Sequence, residues 1–475
     1  MRNLTLLTDF YELTMMNGYL KNGIADNEAV FDVFYRGGDK LNYAMAAGLE
    51  QVVDYIENLR FGNDEIEYLR GLKVFGEDFL ERLKNIRFTG DVYAIPEGTL
   101  IFPYEPILTV KAPLFEAQFL ETAILCILNH QTLIATKAAR LCQNTTAKIM
   151  EFGLRRAQGP DAGIYGARAA YIGGCRSTSN VLAGQMFGIP VKGTHAHSWV
   201  MSFPDELTAF RAYAELYPDG CVLLADTYDT LKSGVPNAIK VFDELKAKGK
   251  RPLGIRLDSG DLAYLSKEAR KMLDNAGHSD CIICVSNDID EDILLSLNAQ
   301  GAKIDLYGIG TRLITSYDAP SLGGVYKLCA IGEKGRLIPK IKLSDTREKI
   351  TNPGLKKLVR IYNADGFAKA DLIALKDENI DTSKPLTIFH PEQPWKRTTF
   401  TDYSVKELMT DIFRDGKKVY KKLTLEEIAE YADKNIAEFY PEYLRTVNPH
   451  EYKVDLSDNL YALKMEMLGG SDKNR

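Results

Sequence analysis

The feature that most constrains the fold is a regular alternation of strand-like and helix-like runs between about Lys148 and Ser316. Each strand-like run is short and apolar, and helix-like stretches such as DLAYLSKEARKML follow these runs. The six predicted strands are KIMEFG, PVKGTHA, CVLLADTYD, PLGIRLDSG, CIICVSND and KIDLYGIG. Such alternation produces a parallel sheet, and six strands in regular order favour an α/β barrel. A doubly wound open sheet is the alternative, because spacing alone does not fix closure.

The flanking regions do not alternate in this way. Ala29–Gly38 predicts a strand ending in a turn, and Gly90–Pro113 is interrupted by Pro and Gly as in a small strand meander. From Tyr403 onward the pattern predicts helices. We therefore predict three domains: a β-rich α+β domain at 1–140, the α/β barrel with the active site at 141–335, and a mixed, mostly helical C-terminal extension at 336–475 that partly returns to the N-terminal domain.

Composition excludes several classes of function. The chain has 475 residues, of which 45% are hydrophobic and 26% charged, as in a globular protein with a sizeable core. The net charge of −6 shows no basic excess, so nucleic-acid binding is not expected. The N-terminus has no signal-peptide pattern, and the apolar runs are shorter than the roughly 20 residues of a membrane span. We predict a cytoplasmic protein without membrane contact, and the seven scattered cysteines are typical of reduced thiols.

Polar residues follow every predicted strand of the alternating region. In parallel α/β folds the active site forms at the carboxyl ends of the strands, so these residues are expected to share one edge. They are Arg155 and Arg156; Thr194, His195 and His197; Asp226 and Asp229; Arg256, Asp258 and Ser259; Ser286, Asn287 and Asp288; and Gly308, Gly310 and Thr311. Any one of them can simply cap the next helix, as we expect of Asp288.

Together the six clusters suit a phosphorylated sugar that carries magnesium. Arginines bind phosphate or carboxylate through two hydrogen bonds, and aspartates hold Mg²⁺ or sugar hydroxyls. A glycine-rich turn such as LYGIGTRL offers backbone N–H groups to a phosphate.

The segment GTHAHSW carries two histidines, His195 and His197, with the HxH spacing that places both imidazoles on one face of a strand. Barrel hydrolases use this spacing to bind zinc, but a zinc site needs further ligands at other strand ends. None of the remaining histidines lies at one of the predicted strand ends; they are His130, His278, His390 and His450. Either both histidines are structural, or one accepts a phosphoryl group, since a neutral imidazole is nucleophilic at cytosolic pH.

Seven blocks in order resemble the nicotinate phosphoribosyltransferases. They are TDFYELTM, EFGLRRAQGPDAG, GTHAHSW, LLADTYDT, GIRLDSGDL, YGIGTRL and GGVYKL, and they cover about residues 1–340. The resemblance implies transfer of the 5-phosphoribosyl group from phosphoribosyl pyrophosphate to nicotinate, which gives nicotinate mononucleotide and pyrophosphate for NAD salvage. It also implies an irregular α/β barrel, ATP as co-substrate, Mg²⁺, and a homodimer whose active sites are shared between subunits.

The resemblance also implies roles for individual residues. His197 matches the histidine that ATP phosphorylates, whereas His195 falls on a variable position. The implied nicotinate site comprises Tyr11 of the partner subunit, Phe152, Arg155, Thr194 and Arg256. The implied site for phosphoribosyl pyrophosphate comprises Asp258, Ser259, Gly308, Gly310 and Thr311, with Asp226 and Asp229 as candidate Mg²⁺ ligands.

Three other functions are weighed against this one. The nicotinamide phosphoribosyltransferases resemble the chain but carry an Asp in the helix after the FGxR block, and the corresponding segment here, YIGGCRSTSNVLAG, has no acidic residue. Nicotinate, which is itself a carboxylate, would meet no repulsion there. Quinolinate chemistry needs no phosphorylatable histidine. A non-catalytic ligand-binding barrel would leave the six polar strand ends unexplained.

Overall fold

The computed structural model describes residues 3–38, 41–333, 335–344, 349–393 and 395–469. The chain folds as two compact units, one formed by Met1–Leu133 with Ser321–Arg475 and the other by Ile134–Pro320. Within the described residues, no helix is long and apolar enough to cross a membrane. The first unit thus combines the two ends of the chain, and the second contains its middle.

The N-terminal segment alternates helices with short strands. Its helices are α1 (Phe10–Lys21), α2 (Leu49–Glu57), α3 (Asn63–Gly71), α4 (Glu77–Lys84), α5 (Leu114–Phe119) and α6 (Glu121–Gln143). Its strands are β1 (Glu28–Tyr35), β2 (Ala44–Met45), β3 (Asp91–Ala94), β4 (Leu100–Ile101) and β5 (Leu108–Pro113).

The middle segment contains the predicted alternation. Its strands are β6 (Lys148–Glu151), β7 (Val222–Leu224), β8 (Gly254–Leu257), β9 (Ile282–Asn287) and β10 (Leu306–Ile309). Its α-helices are α7 (Pro160–Ile172), α8 (Val181–Phe187), α9 (His197–Met201), α10 (Glu206–Leu216), α11 (Val235–Ala247), α12 (Leu262–Asn275), α13 (Glu291–Ala299) and α14 (Thr311–Ile314). A 3₁₀ turn at Leu154–Arg156 and a π-helical turn at Thr230–Gly234 complete it.

The C-terminal segment is richer in strands than the predicted mostly helical extension. Its strands are β11 (Gly324–Glu333), β12 (Arg336–Pro339), β13 (Lys356–Asn363), β14 (Ala368–Leu375), β15 (Leu386–Phe389), β16 (Arg397–Phe400), β17 (Tyr403–Glu407), β18 (Thr410–Arg414), β19 (Lys417–Lys418) and β20 (Lys453–Leu456). Its helices are α15 (Leu425–Ala437), α16 (Pro441–Leu444) and α17 (Asp458–Gly469).

The core of the first unit lies on an antiparallel sheet in the order β12-β11-β1-β5-β3-β18-β19. Every residue of β1 after Glu28 is buried, which confirms the strand predicted at Ala29–Gly38. Amphipathic helices cover this sheet; in α4, for example, Phe79, Leu80 and Leu83 are buried. Burial of apolar side chains at this spacing is the main force that holds such a helix against a sheet.

A smaller sheet in the C-terminal segment, β17-β13-β14-β20, is centred on a buried ion pair. The Arg360 guanidinium donates to both carboxylate oxygens of Asp371, and its Nη2 also donates to the backbone oxygen of Leu100 at 2.8 Å. Tyr452 donates its hydroxyl to Asp371 at 2.9 Å. Further hydrogen bonds offset most of the cost of burying this charge pair, although Nη1 of Arg360 is buried without a partner among the described residues.

The second unit is built on a parallel sheet in the order β6-β10-β9-β8-β7. The strands are short and largely apolar, as predicted; Val222–Leu224, for instance, is buried throughout. Since all of these strands run in the same direction, their carboxyl ends meet at one edge of the sheet. That edge carries most of the predicted site residues.

The predicted barrel strand PVKGTHA does not form. Within residues 134–320 the strand ladder has a gap between β6 and β7, where Thr178 makes only isolated bridges to Glu151 and Val191. Val191 and the two residues after it are exposed, so this stretch has no buried apolar side chains to hold it in a sheet. The fold class is mixed α/β with a parallel sheet, but closure of the ladder into a barrel is not confirmed.

Candidate active site

Asp226 and Asp258 are joined at the carboxyl edge of the sheet. Oδ2 of Asp226, just after β7, accepts hydrogen bonds from the backbone N–H of Asp258 and from Oγ of Ser259, both at 2.7 Å. Oδ1 of Asp226 is buried and has no partner among the described residues. A buried carboxylate oxygen without a partner is costly, so Oδ1 fits a cation or a hydroxyl group supplied by a ligand.

The carboxylate of Asp258 is itself held from the next strand. Its Oδ1 accepts a hydrogen bond from Oγ of Ser286, which lies on β9 and is buried. The Asp258 side chain nevertheless remains 38% exposed. It is therefore fixed in direction while one oxygen stays accessible to a ligand.

Arg256 on β8 reaches Thr194 through a hydrogen bond from Nη1 to Oγ1. Its Nε is buried without a partner among the described residues. An arginine offers paired N–H donors that match a carboxylate. The free Nε donor therefore fits an anionic ligand, and this geometry brings the predicted residues Arg256 and Thr194 together.

His195 is a buried, structural histidine. Its Nε2 accepts the backbone N–H of Leu224 on β7 at 3.2 Å, and its ring lies edge-on to Tyr213 at 4.7 Å between centroids. Burial lowers the pKa of His195 to about 4. The neutral ring thus substitutes for the backbone pairing that a strand would have made with β7.

His197 points into a different environment, because it is the first residue of α9 and does not lie on a strand. Its Nδ1 is 3.1 Å from Oγ1 of Thr227, and its Nε2 is 3.8 Å from Oδ2 of Asp258. The expectation that His195 and His197 share a strand face is therefore wrong. One ring is enclosed in apolar surroundings, and the other is 39% exposed beside a carboxylate.

The loop after β6 is held by Glu151, which is buried. Its carboxylate accepts the backbone N–H of Gly153 and, at 2.5 Å, the hydroxyl of Thr178. Burial raises the pKa of Glu151. These contacts position the loop that begins with Phe152, and they were not expected from the sequence, where Glu151 appeared only as a strand residue.

Gly308 on β10 and Gly310, which directly follows this strand, leave room for Phe152. A Cβ atom on Gly308 would lie 2.6 Å from the Phe152 ring, and one on Gly310 would lie 3.1 Å from its backbone oxygen. Thr311 follows as the first residue of α14. Glycine is required at Gly308 by this close approach, which explains part of the LYGIGTRL pattern without a ligand.

Asp229 and Asp290 both have capping roles in the structure. Asp229 accepts the backbone N–H of Lys232 at 2.9 Å and caps the π-helical turn. Asp290, not the predicted Asp288, caps α13. Among the described residues, no group of three His, Cys, Asp or Glu side chains is arranged to hold a metal ion. Of the two candidate Mg²⁺ ligands, Asp226 has a buried oxygen without a partner among the described residues, whereas Asp229 caps the turn through Oδ1 and has its Oδ2 3.4 Å from Nζ of Lys232.

The remaining predicted residues lie apart from these contacts. Arg155 and Arg156 are exposed on the 3₁₀ turn after β6. Tyr11 belongs to the other compact unit, on α1, where its side chain is 45% exposed. Thr227 contacts His197 without having been predicted; a single hydroxyl beyond a strand end gives no distinctive signal in a sequence.

Comparison with known proteins gives a consistent family assignment. The family model for the nicotinate phosphoribosyltransferase (NAPRTase) family matches residues 147–363, the model for its N-terminal domain matches 6–129, and the model for its C-terminal domain matches 355–464. The chain is 48% identical over 471 residues to nicotinate phosphoribosyltransferase of Bacillus subtilis, covering 98% of this chain and 95% of that one.

Similarity extends to a eukaryotic relative and to a solved structure. The chain is 34% identical over 527 residues to the nicotinate phosphoribosyltransferase of Homo sapiens, covering 98% and 97% of the two chains. The crystal structure of human nicotinic acid phosphoribosyltransferase superposes with a TM-score of 0.86 at 33% identity, covering 97% of this chain and 99% of that chain.

Proposed function

Because the chain belongs to the nicotinate phosphoribosyltransferase family, and so makes nicotinate mononucleotide in NAD salvage, we propose that it couples this reaction to ATP through a phosphohistidine at His197. The observation that carries the proposal is the position of His197 between Thr227 and Asp258, with Nε2 3.8 Å from the Asp258 carboxylate. A histidine with one oriented and one accessible nitrogen is suited to accept a phosphoryl group. Its neighbour Asp258 is the residue that we assign to the ribose.

Nicotinate is held, in this proposal, by Arg256. The Nε of Arg256 is buried without a partner among the described residues, and Nη1 of the same guanidinium already donates to Thr194. A pyridine carboxylate satisfies that donor, whereas the neutral amide of nicotinamide offers a weaker acceptor. Phe152 lies beside the glycines of β10 and is the ring on which the pyridine stacks. Arg155, an exposed cation on the 3₁₀ turn after β6, completes the proposed set.

Phosphoribosyl pyrophosphate is proposed to bind across β8 and β10. Asp258 stabilises the positive charge that develops on the ribose as pyrophosphate leaves C1 and the pyridine nitrogen attacks. Ser259 and the turn at Gly308, Gly310 and Thr311 supply hydroxyl and backbone donors for phosphate. Gly308 packs tightly on Phe152 and has no side chain, so it can offer a phosphate only its backbone N–H.

Magnesium fits Asp226 better than Asp229. The unpartnered Oδ1 of Asp226 is an oxygen donor of the kind that Mg²⁺ prefers, and Mg²⁺ on a pyrophosphate needs only one or two protein carboxylates. When bound there, the ion neutralises the charge of the departing pyrophosphate. At Asp229 an ion would have to compete with Lys232, whose backbone N–H donates to Oδ1 and whose Nζ is 3.4 Å from Oδ2.

We also propose a cytoplasmic homodimer with shared active sites, in which Tyr11 reaches the partner's nicotinate. Two exposed apolar surfaces support subunit contact. On α8, Val181 is 70% exposed and Met186 is 48% exposed. On α1, Phe10 is 52% exposed beside Tyr11. Contiguous exposed apolar surfaces commonly mark sites of association.

The nicotinamide enzyme is not favoured, because the residues from Tyr171 to Gly184 contain no acidic side chain. The test is chromatographic analysis of products with nicotinate and with nicotinamide, each with and without ATP. We expect conversion of nicotinate to be at least about 100-fold more efficient than that of nicotinamide, with ATP consumed in the nicotinate reaction. Equal efficiency with the two pyridines would reject the role of Arg256. Product formation unaffected by ATP, with no ATP consumed, would reject the coupling.

A further inference from the structure

We infer that Lys137 is a positioning residue for the binding of phosphoribosyl pyrophosphate, because it anchors the segment that follows the turn at Gly308–Thr311. The inference rests on the phosphate-binding role proposed above for that turn. Lys137 lies on α6 and is only 4% exposed. Its Nζ donates hydrogen bonds to a carboxylate oxygen of Glu291 and to one of Asp318. One buried ammonium group therefore joins α6 to two further segments of the second unit.

The two carboxylates belong to segments that follow neighbouring strands of the parallel sheet. Glu291 is the first residue of α13, which follows β9, and its Oε1 is also 3.4 Å from Nε of Arg140. Asp318 comes after α14, which follows β10. Strands β9 and β10 are paired in the sheet. Lys137 thus ties the chain that leaves β9 to the chain that leaves β10.

The helix α14 needs such an anchor because it is a single turn of four residues, Thr311–Ile314. A helix this short is not stable alone, so contacts at its two ends must fix its orientation. At its start, the chain is held by the pairing of β10 with β6 and β9. At its end, the ion pair between Lys137 and Asp318 links the chain to α6. A longer contact, 3.9 Å from Nε of Arg312 to Asp290, adds a weaker link to α13.

The backbone between α14 and Asp318 is strained. Ser316 is buried and has a φ of 44°, a left-handed conformation that is unfavourable for a serine. Its backbone oxygen accepts the N–H of Ala319 at 2.8 Å, which turns the chain sharply. A strained turn keeps its conformation only where neighbouring contacts hold it. We therefore expect the ion pair of Asp318 with Lys137 to control the order of this turn.

The order of the turn matters for phosphate binding because backbone N–H donors must already point at the position of the phosphate oxygens. Loosening the end of α14 should therefore weaken the binding of phosphoribosyl pyrophosphate. Nicotinate is assigned to Arg256 on β8, which makes no use of these donors. A role in positioning thus predicts a rise in KM for one substrate only, whereas a purely structural ion pair would change stability alone.

The test compares Asp318→Asn, Lys137→Met and Lys137→Arg. Asp318→Asn removes one ion pair but leaves Lys137 paired with Glu291, so it decides the question if Lys137→Met fails to fold by circular dichroism. Lys137→Arg keeps the positive charge. The matched control is Lys356→Met, which removes another buried lysine, 2.9 Å from Asp32 in the first unit. For each protein we would measure kcat, both KM values, thermal stability and hydrogen exchange of peptides that cover residues 310–319.

In Asp318→Asn and Lys137→Met we expect KM for phosphoribosyl pyrophosphate to rise at least about tenfold, while kcat and KM for nicotinate change less than about twofold. Amides of residues 310–319 should exchange faster in both variants. Lys137→Arg should recover most of the affinity. Lys356→Met should lower thermal stability and leave both KM values unchanged.

Unchanged exchange together with unchanged KM values in Asp318→Asn would overturn the role of Lys137, while the proposed phosphate site would stand. Faster exchange with an unchanged KM for phosphoribosyl pyrophosphate would instead reject the phosphate-binding role proposed for the turn, and the inference would fall with it. The two failures are therefore distinguishable.

Discussion

Nε2 of His197 lies 3.8 Å from Oδ2 of Asp258, so the proposed phosphoryl acceptor and the proposed ribose-binding carboxylate are neighbours. A phosphoryl group on the His197 ring would bring further negative charge close to that carboxylate. Like charges at this distance repel each other in a partly buried site. Phosphorylation would therefore raise the free energy of the ionised Asp258 carboxylate. This is a physical route by which ATP can alter the binding of the sugar substrate.

The first prediction concerns this repulsion. Asp258→Asn retains an oxygen for the Ser286 hydroxyl but removes the negative charge, so phosphohistidine should persist several-fold longer while phosphoribosyl transfer falls at least about 100-fold. Label decay and product formation are measured on the same samples. Asp288→Asn, an exposed aspartate at the same sheet edge, is the matched control. Faster decay of the label in Asp258→Asn would show that the carboxylate stabilises the phosphoryl group.

The second prediction is that Arg256→Ala loses on the order of 2 to 4 kcal/mol of transition-state stabilisation in kcat/KM for nicotinate, because its guanidinium pairs with the pyridine carboxylate. Arg256→Lys should recover only part of this loss, since lysine keeps the charge but not the Nε donor. Arg251→Ala, which removes an arginine 81% exposed in an ion pair with Asp280, is the control and should be unaffected. Normal turnover in Arg256→Ala would remove this residue from the nicotinate site.

The third prediction concerns pH and His195. Burial keeps His195 neutral in the folded protein down to a pKa of about 4, whereas the unfolded chain is protonated below about 6.5. The contribution of the neutral His195 ring to the free energy of unfolding is therefore complete above pH 6.5. It is lost as the pH falls toward 4. Between pH 7.5 and 5.5 the wild type should lose on the order of 1 kcal/mol more free energy of unfolding than His195→Gln. Urea unfolding of both proteins at the two pH values measures this; equal losses would contradict a buried neutral imidazole.

The sequence predicted the strands of the second unit and their polar ends well, because buried parallel strands are short apolar runs and the residues after them lie at one edge. It failed at PVKGTHA, whose apolar and polar residues resemble a strand although Val191 and its successors are exposed. His195 and His197 therefore do not share a strand face either, since His197 begins a helix. Contacts between distant segments, such as those of Glu151 with Thr178 and of His197 with Thr227, depend on how the chain returns to the edge and have no local pattern.

The fourth prediction tests shared active sites. When Tyr11→Ala and Asp258→Ala subunits are mixed and exchanged, each heterodimer should contain one site with an intact Tyr11 and an intact Asp258. Random exchange of equal amounts makes about half of the dimers mixed, so about a quarter of wild-type activity should return. Exchange is verified by mass spectrometry of differently tagged subunits. No recovery after verified exchange would mean that each site is complete within one chain.

The most direct test of the account is phosphorylation of His197 itself. After incubation with γ-labelled ATP, an acid-labile and base-stable phosphate should be found on His197 by peptide mapping. His197→Ala should abolish both label and ATP hydrolysis, while slow ATP-independent synthesis of nicotinate mononucleotide persists, because the pyridine nitrogen attacks the ribose. His195→Ala should still be labelled, since that ring only supports β7. Label that persists in His197→Ala and disappears in His195→Ala would contradict the account.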